Sequence, residues 1–148
     1  MKILNLVLAI CLITCLSFDS TAQVLTSSKP SLFTNFSPSI HAAIPELEKA
    51  FIAKEGKTIQ LNFANNFSFN GTVISSVQRY HNLATIIVKS ELLQNTLLTI
   101  SKRVNEDNSI SYVGRIINEN YSDGYELKKS TDGSYLFQKI NMSDLIQD

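Results

Sequence analysis

The stretch ISYVGRIINENYSDGYELKKSTDGSYLFQKI, from Ile110 to Ile140, reads as three short strands joined by two turns. Apolar residues alternate with polar ones on either side of Ser122-Asp123-Gly124 and Thr131-Asp132-Gly133. Asp bonds the backbone of a tight turn through its side chain, and Gly supplies the positive φ such turns often need. Links this short return the chain antiparallel, because a parallel crossover takes roughly a dozen residues or more. The chain upstream then reads as more sheet added to this unit.

Working upstream, Leu97, Leu98 and Ile100 form a further strand, separated from Ile110–Ile117 by the turn Asn105-Glu106-Asp107-Asn108. Asn82 to Lys89 holds Leu83, Ile86, Ile87 and Val88, apolar on both faces, which predicts the central strand of the sheet. Ile59, Leu61 and Phe63 alternate with Thr58, Gln60 and Asn62, and the alternation resumes at Phe67 and Phe69. Asn65-Asn66 between the two runs predicts a hairpin, since Asn tolerates positive φ. The second run extends to Arg79, and Gly71 with Val73-Ile74 disturbs it, so a bulge or bend is expected there.

Before Gly56 the period is helical instead. Ile40, Ile44, Leu47 and Phe51 fall on one helical face, but Pro45 would break a helix begun at Pro38. The expectation is a short helical turn over Pro38 to Ala43, then a main helix from Pro45 to about Lys54. Ile44, Leu47, Ala50 and Phe51 would face the sheet. Upstream of Ser37, residues 23–36 read as an extended lead-in whose Leu32, Phe33 and Phe36 dock on the domain.

Together these elements predict an α+β fold: one N-terminal helix packed on a curved antiparallel sheet of about seven strands, over residues 37–148. A small β-barrel with the helix as plug is the alternative. With 148 residues and 44% hydrophobic content the chain fits a single core. Thirteen basic and 13 acidic side chains leave no bulk field of the kind that binds nucleic acid.

Residues 1–22 carry the marks of an export signal: Lys2, an apolar run from Ile3 to Leu16, and small residues at Ser20-Thr21-Ala22. Cleavage after Ala22 would remove both cysteines, Cys11 and Cys15, and with them any disulfide scaffold. The run is shorter than the roughly 20 apolar residues of a spanning helix. The expected location is secreted or periplasmic. Leu12-Ile13-Thr14-Cys15 resembles the bacterial lipobox, which implies the alternative of lipidation at Cys15 and anchoring at the envelope.

No zinc-protease, dithiol or nucleophile-elbow motif follows the leader, and no cofactor is implied. One constellation deserves a place. Turns of a meander alternate between the two ends of the sheet, which would gather Tyr80, His81, Glu106, Asp107 and Asp132 at one rim that could hold a cation or polar ligand. The aromatics Phe63, Phe67, Phe69, Tyr112, Tyr125, Tyr135 and Phe137 recur at strand spacing and are expected in the core. Lys102, Arg103, Arg115, Lys128, Lys129 and Lys139 cluster in the last strands, as a solvated ion-paired face or a surface for an anionic partner. The function expected is a non-catalytic exported module that binds a protein or glycan; the alternative is a pro-segment or accessory domain of a secreted hydrolase.

Overall fold

The computed structural model describes residues 29–64 and 67–146. The expected signal peptide, Cys15, residues 23–28 and the Asn65-Asn66 turn lie outside the described residues. In chain order the elements are β1 (Ser39–His41), α1 (Ile44–Ile52), β2 (Thr58–Ala64), β3 (Phe67–Tyr80), β4 (Leu83–Ser90), β5 (Leu97–Val104), β6 (Ile110–Ile117), β7 (Asp123–Lys129) and β8 (Tyr135–Asn141). A 3-10 turn over Met142–Ile146 follows.

Short links force neighbours in sequence to pair, and β2 through β8 form an antiparallel meander in order. β1 joins beyond β8, with Ile40 opposite Phe137, and completes a sheet of eight strands. The sheet curls into a half-barrel, so that strands far apart in the order meet across the core. Phe63 of β2 lies 5.0 Å from Phe137 of β8, and Phe67 of β3 lies 5.9 Å from Tyr125 of β7, centroid to centroid. All seven aromatics of the strand stripe are buried, as their spacing predicts.

Two local devices bend the sheet. Val73 faces Val88 while Ser75 faces Ile87, which leaves Ile74 as the extra residue of a bulge beside the expected position. At Gly114 the strands approach so closely that a Cβ would stand 2.5 Å from the Thr99 carbonyl oxygen. Only glycine fits that approach.

α1 lies against the concave side and buries Leu47 and Ala50. Its polar side seals the free edge of β2: Glu46 Oε2 accepts from the Asn62 N–H at 2.9 Å, and Lys49 Nζ donates to the Gln60 carbonyl at 2.7 Å. An edge so capped offers no template for another strand.

Three expectations are corrected. The residues read as a helical turn, Pro38 to Ala43, contain β1 instead: Ile40 alone points inward, and Lys139 N–H to Pro38 O with Ala42 N–H to Tyr135 O ties the segment to β8. Pairing with β8 satisfies backbone groups that a single helical turn would leave open. Ile44 is 48% exposed, because α1 starts there and its first residue clears the sheet. β4 is third from the β2 edge and not central; Ile87 on its outer face is half-buried, with no layer packed over it among the described residues. The helix ends at Ile52, and Gly56, at φ +80°, serves the turn into β2.

Candidate functional site

The meander does send the β3–β4, β5–β6 and β7–β8 turns to the same end, where two depressions adjoin at Asn82 and Val104. Tyr80, Glu106 and Asp107 line one depression of about 580 Å³ with Arg103. His81 lines another, beside Phe51, Lys102 and Val104. Asp132 lines neither. Both rim aspartates are engaged by their own turns: Asp107 Oδ1 accepts from the backbone and hydroxyl of Ser109 at 2.9 and 2.6 Å, and Asp132 Oδ1 does the same with Ser134 at 2.9 and 2.7 Å. Those bonds hold both carboxyls below the usual carboxylate range. Among the described residues no three His, Cys, Asp or Glu side chains are placed to share a metal ion.

A larger concavity than either lies elsewhere, between two hairpins. β5 and β6 stay paired out to Val104 and Ile110, and β7 and β8 out to Lys129 and Tyr135. Between the hairpins, however, β6 and β7 pair only at Gly114–Leu127, Arg115–Glu126 and Ile116–Tyr125. Ile110 to Val113 and Lys128-Lys129 have no ladder partner across this seam. The hairpins thus part like a V with Gly114 at its apex. The slot they leave measures about 890 Å³ and is lined by Thr99, Ser101, Ser111, Val113, Arg115, Glu126, Lys128 and Lys129, over a floor of Tyr112, Leu127 and Tyr135.

A side chain closes the inner side of the seam where the ladder stops. The Tyr112 N–H donates to the Tyr135 hydroxyl at 3.2 Å, and the two rings meet edge to face at 5.3 Å. Without that hydroxyl a buried N–H would lack a partner, at a cost of about 1–3 kcal/mol. The Tyr112 hydroxyl in turn donates to Glu48 Oε1 on α1, whose Oε2 takes Lys102 Nζ at 2.6 Å. Burial opposes ionisation of Glu48, but the bonds from Lys102 and Tyr112 outweigh it and hold the carboxyl down. Burial first, then the bond to Glu48, pushes the Tyr112 hydroxyl well above its ordinary value. The seam is thereby anchored to the helix.

On the outer side the slot is charged. Glu126 Oε1 accepts from Arg115 at 2.9 and 3.3 Å, and Oε2 lies 3.2 Å from Lys128 Nζ. The Arg115 bond is the main reason the Glu126 carboxyl sits below its usual range.

A second polar construction holds the N-terminal segment. Asp123, only 7% exposed, accepts from the Leu32 N–H at 2.6 Å on Oδ1, and from the Phe33 N–H at 2.9 Å and the Ser31 hydroxyl on Oδ2. Lys139 Nζ donates to the carbonyls of Phe33 and Phe36 at 2.6 and 2.9 Å, and the Tyr125 hydroxyl to that of Ser37 at 2.6 Å. Burial, with the nearby Asp123 charge, pushes the Tyr125 hydroxyl up to about 12. Phe33 is fully buried against Phe36 and Tyr125. The lead-in docks as expected, but the agents that dock it were read as a turn aspartate and a solvent-facing lysine.

Comparison with known protein families, with curated proteins and with solved structures finds no match for this chain. The slot combines strand segments without ladder partners across the seam, paired charges and an apolar floor.

Proposed function

We propose that the chain is an exported, non-catalytic binding module whose partner, a protein or a glycan, lies in the slot between the β5–β6 and β7–β8 hairpins. The observation that carries this reading is the seam, where β6 and β7 stop pairing beyond Gly114 and Leu127 although both strands continue. Strands that continue unpaired leave hydrogen-bonding capacity that a partner can use. The acidic groups support the non-catalytic part: Glu48, Asp107, Asp123, Glu126 and Asp132 each accept bonds that hold the fold together. Export rests on the leader-like residues 1–22, with release into a secreted or periplasmic space, or a lipid anchor at Cys15, as its two forms. Among the described residues no helix is long and apolar enough to cross a membrane.

Comparative capture tests the reading. A partner retained by the native chain in its extracytoplasmic fraction should be lost from Ser101→Trp, which fills the slot, and kept by Ile52→Ser on the far side of α1. Equal retention by all three would remove the slot from consideration.

A further inference from the structure

The charge and shape of the slot say more about its occupant, on the premise that the slot is the contact site. We infer that it takes an acidic segment of polypeptide in extended conformation.

Charge selects the sign. Three cations line the slot, Arg115, Lys128 and Lys129, against the single carboxylate of Glu126. Arg115 and Lys128 both engage that carboxylate, so one anion is shared between two cations. Both keep about half of their side-chain surface in water, at 48% and 50%. Carboxylates arriving from a partner meet donors already gathered by Glu126, and little side-chain ordering remains to be done. A basic segment would meet the same three cations as repulsion.

Backbone geometry selects the conformation. Ile110 to Val113 continues β6 past its last rung with β7, and Lys128-Lys129 continues β7 on the other side. Four residues of open strand run about 13 Å at roughly 3.3 Å per residue, enough to seat a segment of about four to six residues. Alternate residues of β6 face β5, so Ile110 and Tyr112 are the ones turned to the seam; with the Tyr112 N–H held by the Tyr135 hydroxyl, an extended guest meets the Ile110 N–H and the two carbonyls, its alternate side chains falling to opposite sides. Val113, 63% exposed on the slot wall, offers an apolar contact to one side chain of the guest.

The aromatics argue against a sugar. Tyr112 and Tyr135 are 4% and 2% exposed and hold each other edge to face, so no ring face is presented as a platform. Their role is to seal the floor.

The test is amide-shift mapping on the isotope-labelled chain, purified as exported, with three probes: acetylated (Glu-Val)5, acetylated (Lys-Val)5, and a sulfated heparin-type octasaccharide. The (Glu-Val)5 peptide should shift the amides of Ile110 to Val113 and Lys128-Lys129. Lys128→Glu/Lys129→Glu should weaken it at least ~10-fold, and Lys57→Glu/Lys89→Glu, the same charge change elsewhere, less than ~2-fold. Equal binding of (Lys-Val)5, or shifts outside the slot, overturns the inference. If the octasaccharide alone moves the slot amides, the slot stands as a binding site and the acidic peptide falls. If no probe moves them, the inference falls, and the slot itself is judged by the capture experiment.

Discussion

Asp123→Asn is expected to release the N-terminal segment while the sheet stays folded. The aspartate serves three donors, Leu32 N–H on one oxygen and Phe33 N–H with the Ser31 hydroxyl on the other. An amide keeps one oxygen and turns an N–H₂ group toward the remaining donor or donors. A buried N–H left without a partner costs about 1–3 kcal/mol, and since the exposed Ser31 hydroxyl can turn to water, keeping the segment docked costs about that much. The segment has a cheaper course, which is to leave. Detachment gives up the burial of Phe33, about 1.5–3 kcal/mol. It also breaks the two Lys139 bonds, each worth about 0.5–1.5 kcal/mol. Against this, every freed residue recovers about 1 kcal/mol or more of backbone entropy. The cost of staying docked bounds the net loss, which should be about 2 kcal/mol, or roughly 6–10 °C in Tm for a domain of this size. Urea unfolding measures the first figure, and exchange at the Phe33 amide reports the docking itself. A Phe33 amide that stays protected in the variant, with an unmoved urea midpoint, would refute the assignment of Asp123 as the clasp.

Acid should weaken the fold through a defined set of groups. Glu48, Asp107, Glu126 and Asp132 all have folded-state pKa values below their unfolded ones. Their contribution is complete above the ordinary carboxylate range of about 4 and is lost as pH falls through the lowered folded values. Urea midpoints followed from about pH 6 to 2.5 should fall with acid, and Glu48→Gln should flatten that fall. Gly114→Ala should cost about 1–3 kcal/mol in thermal unfolding, because its methyl would meet the Thr99 carbonyl oxygen. Glu46→Ala/Lys49→Ala should uncap the Gln60 carbonyl and Asn62 N–H of β2, and sedimentation should then show stronger concentration-dependent association than for the native chain.

The meander was legible because alternation agreed with turn chemistry at Asn105-Glu106-Asp107-Asn108, Ser122-Asp123-Gly124 and Thr131-Asp132-Gly133, and local agreement of that kind fixes antiparallel order without long-range information. β1 was not legible. Its three residues show one inward side chain, Ile40, which also fitted a helical spacing with Ile44, and only the free edge of β8 decides between the two. The rim was half legible. Turn parity placed its turns at one end, but the bonds that Asp107 and Asp132 make within their own turns cannot be read from spacing. The slot left one trace, a glycine in the middle of β6; where pairing ends between two adjacent strands is a tertiary outcome. Asp123 left none, since its partners stand about ninety residues upstream.

The central claim is that the parted hairpins form the contact surface, and site-specific photo-crosslinking from Val113 addresses it most directly. The side chain stands on the slot wall, while Ile52, 80% exposed on α1, provides the matched reference outside it. With the photoreactive residue at position 113, irradiation in the native cells should give one discrete adduct that the position-52 variant does not form. Adducts of equal yield from both positions, or from position 52 alone, would contradict the account.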